Sequence, residues 1–98
     1  MTEKQVFLEA RNKLAADGWA YWFPPRTWGE RDIMGAFDFI AARGKKVILV
    51  QLTTIQHISD RRRKIRDFYL SNKLGPLPGA FIWAFDPKKG RWKTELVR

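Results

Sequence analysis

Gly35-Ala36-Phe37-Asp38-Phe39-Ile40-Ala41-Ala42-Arg43-Gly44-Lys45-Lys46-Val47-Ile48-Leu49-Val50-Gln51-Leu52-Thr53-Thr54 is the stretch that decides how this 98-residue chain folds. Two apolar runs, 36–42 and 46–54, are parted by Arg43-Gly44-Lys45, whose length and composition suit a tight β-hairpin. The second run is almost continuously apolar, as a central strand covered on both faces requires. Two polar residues break the pattern. Asp38 sits among Phe37, Phe39 and Ile40, where an ionised carboxylate is costly unless it is paired or binds a cation. Gln51 stands between Val50 and Leu52, and Thr53 projects to the same side as Gln51. Alternation sends Phe37 and Phe39 to one face and Asp38 to the other. Asp38 lies six residues before Gly44 and Gln51 seven after it, which makes them cross-strand neighbours. An acid and an amide oxygen side by side form half of a site for a hard cation such as Mg²⁺. The alternative is that Asp38 accepts hydrogen bonds from loop amides and Gln51 bonds to it.

Outward from the hairpin, the N-terminal segment 3–16 has helical spacing, with Phe7, Ala10 and Leu14 on one stripe and Gly18 placed to end it. Residues 19–23 read as a short aromatic strand that Pro24-Pro25 forbids from continuing. A polar loop carrying Arg26, Trp28, Gly29, Glu30, Arg31 and Asp32 leads to Gly35. On the other side, 58–72 predicts a helix whose inward stripe is Ile58, Ile65, Phe68 and Tyr69, capped by Ser59 or Asp60. Residues 75–79 turn the chain, 80–85 form a buried strand, 86–90 a turn and 91–97 an alternating edge strand. The order αβββαββ predicts one α/β domain over 1–98: a central mixed sheet flanked by helices. A ferredoxin-like or double-stranded-RNA-binding-like domain shares the composition. It lacks the Pro-Pro and Gly-rich loop between the first two strands.

Charge narrows the partners. Lys and Arg number 19 against 10 Asp and Glu, a net charge of +9. Such a balance in a small folded chain favours a polyanion, nucleic acid first, with an anionic membrane or acidic protein as alternatives. Cysteine is absent and histidine occurs once, which excludes disulfides, thiolate sites and His-rich zinc sites. The N-terminus lacks an apolar signal core and no run approaches the length of a membrane span, so a cytoplasmic location is expected.

The segment 35–54 resembles the motif of PD-(D/E)XK nucleases, in which Asp and then (Asp/Glu)-x-Lys lie on paired strands. Its Gly-Lys-Lys hairpin, the helix closed by Gly18-Trp19 and the closing Gly90-Arg91-Trp92-Lys93-Thr94-Glu95-Leu96-Val97 strand are together similar to archaeal Holliday-junction resolvases. The resemblance implies a restriction-endonuclease-like fold and a structure-selective, Mg²⁺- or Mn²⁺-dependent endonuclease acting on branched or double-stranded DNA as a homodimer. It makes Asp38, Gln51 and the Leu52 carbonyl the metal ligands and Asp38, Gln51, Thr53 and His57 the catalytic positions. Thr53 departs from the pattern, because the family has there a lysine that orients the attacking water and balances charge. The resolvases also carry a first-helix glutamate where this chain has Phe7, and Glu3, one turn earlier, is the candidate to replace it.

His57 is the candidate base, since very-short-patch repair endonucleases likewise lack the lysine and use a histidine just after this strand. Lys64 is a second candidate. Arg61, Arg62, Arg63, Lys64 and Arg66 form the densest cationic stretch and the expected phosphate contact, joined by Arg26, Arg31, Lys45 and Lys46 if the loops converge on one rim. Trp28 is a stacking or packing residue, and Trp83, Phe85 and Trp92 are candidates for a dimer surface. The motif losses leave open an inactive nucleic-acid-binding module of the same fold, or a small RNA-binding protein.

Overall fold

A computed structural model of the chain describes residues 1–25 and 32–98. Helix α1 (Glu3–Ala16) starts at a capping box: Gln5 N–H donates to Thr2 Oγ1 at 3.2 Å and Thr2 N–H to Gln5 Oε1 at 2.8 Å. It ends where Gly18 takes φ +76°, letting the Trp19 N–H reach the Leu14 carbonyl at 2.9 Å. Strands β1 (Ala20–Trp22), β2 (Phe39–Arg43) and β3 (Lys46–Thr54) follow, then α2 (Ile58–Ser71), β4 (Ala80–Asp86) and β5 (Arg91–Leu96). The five strands lie in chain order, all antiparallel except the β3–β4 pair, which α2 makes parallel by crossing over the sheet. This is the expected mixed sheet between two helices. Val6, Ala10 and Leu14 of α1 cover Phe39, Ala41, Ile48, Val50, Leu52 and Trp83 on one face. Ile65 and Tyr69 of α2 cover Ala80, Ile82, Ala84 and Val97 on the other.

The departures from expectation are local. The α1 stripe is Val6, Ala10 and Leu14; Phe7 is half-buried and leans on Phe23, ring centroids 5.6 Å apart. The strand expected over 36–42 begins only at Phe39, because residues 33–37 close a turn through an Ile33–Phe37 bridge and the chain bends at Asp38. Alternation does not cross a bend, so Phe37 and Phe39 reach opposite faces. Phe37 meets Phe68 edge-on at 5.7 Å under α2, and Phe39 stacks on Phe23 at 4.7 Å beneath α1. Neither Ser59 nor Asp60 caps α2. A 3₁₀ turn (Ile55–His57) feeds the helix and His57 holds the cap position without a side-chain bond.

Trp83 and Phe85 are buried, and Trp92 lies against both at 5.9 and 5.0 Å. Trp83 and Phe85 are therefore core residues and not the dimer surface expected of them, while Trp92 stays half-buried. No helix among the described residues is long and apolar enough to cross a membrane.

The β3–β4 junction depends on one close approach. Leu49 N–H donates to the Gly79 carbonyl at 2.7 Å, and a Cβ on Gly79 would overlap the Val47 carbonyl oxygen. Gly79→Ala therefore forces backbone to move. Chemical denaturation should show a loss of about 1–3 kcal/mol, as for an overpacked site, whereas Gly75→Ala, with open space around it, should leave stability near wild type.

Candidate active site

At the carboxyl end of β3 the first turns of α1 and α2 face each other across a cleft of about 380 Å³. Glu3, Asp38, Gln51, Thr53, His57 and Lys64 line it, together with Leu52, Arg61 and Asp32. Most of the residues singled out for chemistry thus meet in one place, although they come from five segments of the chain.

Asp38 is the centre of this cluster. Its own N–H donates to the Val50 carbonyl at 2.7 Å, extending the β2–β3 register by one residue and setting the side chain opposite Gln51. Asp38 Oδ2 accepts two bonds of 2.6 Å, from the Leu52 N–H and from Gln51 Nε2. The counting argument for a cross-strand pair holds, while the side chain rides on the bend rather than within the strand. Only 9% of Asp38 is exposed, and burial pushes its carboxyl up to about 6. The Leu52 amide works against that rise, Asp32 adds to it, and Lys64 and Arg61 oppose it.

Gln51 Nε2 also faces the Leu52 carbonyl at 3.2 Å, so the amide NH₂ stands between two oxygens. Its Oε1 is buried with no partner among the described residues, an arrangement that costs about 1–3 kcal/mol. An amide is nearly symmetric in shape, and its N and O are assigned from their contacts. A carboxylate, an amide oxygen that lacks a donor and a backbone carbonyl make an all-oxygen set that suits Mg²⁺ or Mn²⁺. Among the described residues no group of three or more His, Cys, Asp or Glu side chains is placed to hold a metal, so any cation site here depends on those neutral oxygens.

Thr53 is buried on the same side as Gln51 and brings no charge to the cleft. Glu3 lies on the cleft wall, beside Phe7. His57 has a side chain 55% exposed, with Nδ1 4.0 Å from Asp60 Oδ2. Arg61 reaches the cleft with its Nε buried and without a partner among the described residues. Lys64 Nζ pairs with Asp32 Oδ2 at 2.7 Å.

The basic stretch does not act as one surface. Arg62 is held by Glu95 of β5 through bonds of 2.6 and 2.8 Å, a forked pair that docks α2 on the sheet edge. Arg66 Nε donates to the Arg98 carbonyl at 3.1 Å, and Arg63 is exposed. Lys45 and Lys46 lie at the other end of β3, roughly 20 Å away by strand rise, in a separate groove with Lys13, Trp19 and Arg43. They do not share a rim with the cleft. Arg26, Trp28 and Arg31 fall outside the described residues. Asp32 was not singled out from the sequence, since an acid in a polar loop has no periodicity to mark it.

No family model matches the sequence, and no curated protein does. Among solved structures, the chain is similar to Hjc, a Holliday junction resolvase from the archaeal hyperthermophile Archaeoglobus fulgidus. The TM-score is 0.62 at 12% identity, over 96% of this chain and 76% of that one. This is the resolvase fold. At this identity the likeness speaks for the fold, across nearly the whole of this chain.

The raised carboxyl of Asp38 fixes the sign of a pH effect. A group whose folded value lies above its unfolded 3.8 favours folding below that value and loses the contribution as pH rises through about 6. The loss amounts to about 3 kcal/mol. Asn at this position still offers an oxygen to the Leu52 N–H and to Gln51. Asp38→Asn should therefore match wild type near pH 4 and exceed it by up to about 3 kcal/mol near pH 7 in metal-free denaturation curves. A difference independent of pH would mean that the carboxylate is ionised at no cost.

Proposed function

We propose that this chain is a DNA-binding protein of the resolvase fold that hydrolyses phosphodiesters in branched DNA, a Mg²⁺- or Mn²⁺-dependent structure-selective endonuclease with a degenerate PD-(D/E)XK motif. The observation that carries the reading is the meeting of Asp38, Gln51 and the Leu52 carbonyl in one cleft that Arg61 and Lys64 also line. Asp38, the Gln51 amide oxygen and the Leu52 carbonyl would hold the cation, which when bound supplies Lewis-acid polarisation of the phosphate. His57 takes a proton from water as its oxygen bonds to phosphorus. The ester P–O bond breaks and the departing sugar oxygen takes a proton from solvent. Arg61 and the exposed Arg63 hold phosphates of the duplex. The same reading places one domain in the cytoplasm, working as a symmetric dimer on the paired strands of a junction.

A second reading, an inactive nucleic-acid-binding module, is favoured by two observations. Thr53 brings no cation to the cleft, and the Gln51 amide closes on Asp38. Incubation with Mg²⁺ or Mn²⁺ and linear, nicked, flapped and four-way DNA decides between them. Cleavage of the four-way substrate that disappears in Asp38→Ala supports the endonuclease. Binding to the junction without cleavage by either protein supports the module, and a preference for RNA over DNA sinks the endonuclease and points to a small RNA-binding protein.

Binding has its own check. Arg61→Ala and Arg63→Ala should each flatten the dependence of log affinity on log salt by roughly one unit, independently of DNA sequence. An unchanged slope assigns those residues to solvent.

A further inference from the structure

The end of β3 that enters the cleft lacks a cation. Thr53 is 7% exposed and uncharged, and it lies on the same wall as Gln51. Yet the cleft is not short of positive charge, because α2 delivers two cations from the opposite wall. Arg61 and Lys64 are one helical turn apart and therefore share a face, and both line the cleft with Asp38, Gln51 and Thr53. Lys64 is not a loose surface lysine. Its side chain is 32% exposed and that of Asp32 is 28%, with Nζ and Oδ2 at 2.7 Å across 32 residues of sequence. A charge-assisted bond of this length fixes where the ammonium sits. An ammonium carries three donor hydrogens, so it can hold Asp32 with one and meet a phosphate oxygen with another.

We propose that Lys64, positioned by Asp32, supplies from α2 the phosphate-facing positive charge that Thr53 withholds from β3. The inference rests on the reading of the cleft as a phosphodiesterase site and assigns it a further catalytic group and a positioning residue. As water bonds to phosphorus, negative charge grows on the non-bridging oxygens, and a preplaced ammonium lowers the energy of that state more than of the ground state. Lys64 remains protonated throughout. The proton from water passes to His57, and the leaving oxygen is protonated from solvent.

Moving the charge between the two walls tests this. Wild type, Lys64→Ala, Lys64→Gln, Thr53→Lys and the double variant Lys64→Ala/Thr53→Lys are compared by single-turnover cleavage of four-way DNA with Mn²⁺. Affinity for the same DNA without divalent ion is measured alongside. Lys64→Ala and Lys64→Gln should each slow cleavage by about 10²-fold while affinity changes by less than about threefold. Gln keeps the long stem and a donor for Asp32, so its loss isolates the charge from the anchoring of residue 32. Thr53→Lys should restore at least about tenfold of the rate in the Lys64→Ala background. Asp32→Asn should lower the rate, and the double variant with Thr53→Lys should not need Asp32. Cleavage by Lys64→Gln at the wild-type rate overturns the proposal and leaves the endonuclease reading standing. So does a loss in folded Lys64→Ala that Thr53→Lys does not recover. No cleavage by any of the proteins overturns both.

Discussion

The interaction on which the rest of the structure depends is the pair of 2.6 Å bonds that Asp38 Oδ2 accepts from the Leu52 N–H and from Gln51 Nε2. β2 has its last ladder partner in Phe39 opposite Val50, and beyond that point β3 runs on with a neighbour on one side only. Asp38 takes over there. Its backbone continues the register by one residue and its carboxylate accepts the next free amide of β3. The bend that places it also throws Phe37 and Phe39 to opposite layers. One residue therefore joins the two cores, ends a strand pair and sets an acid in the floor of a cleft. A buried carboxyl so arranged holds its proton more tightly than an exposed one.

How much of this was legible in the sequence follows from the range of each interaction. The hairpin and the facing of Asp38 and Gln51 could be counted out from Gly44, because register in a tight hairpin is arithmetic. The helices, the crossover and the buried Ala80–Asp86 strand followed from periodicity. The start of β2 was misjudged, since apolar residues 36 and 37 fit a strand as well as the turn that the Ile33–Phe37 bridge closes. The packing of Trp92 against Trp83 and Phe85 was not legible, because spacing does not reveal which rings meet.

Charge was the least legible feature. A composition of +9 points to a polyanion, but it does not say which cations are already engaged. Arg62 is bound by Glu95, 33 residues away, and Lys64 by Asp32, 32 residues away. Those two neighbours on one helix thus have different work, the first docking α2 against β5 and the second reaching the cleft. Lys45 and Lys46 belong to a different end of the sheet. Only the course of the chain separates these cases.

The parallel pairing of β3 with β4 has a kinetic meaning. Both hairpins of the sheet, β2–β3 and β4–β5, close over a few residues, whereas β3 meets β4 only after the chain has travelled through α2. Closing the longer loop costs more chain entropy and comes later on a pathway ordered by contact distance. Asp38, Gln51, Leu52 and Thr53 all belong to the first hairpin and its flank, so the oxygen cluster forms with an early, local unit. The cations of α2 join only when the helix docks. A chain arrested before that step would hold the acid of the cleft without its counter-charge, and the order of assembly makes the docking of α2 the event that completes the site.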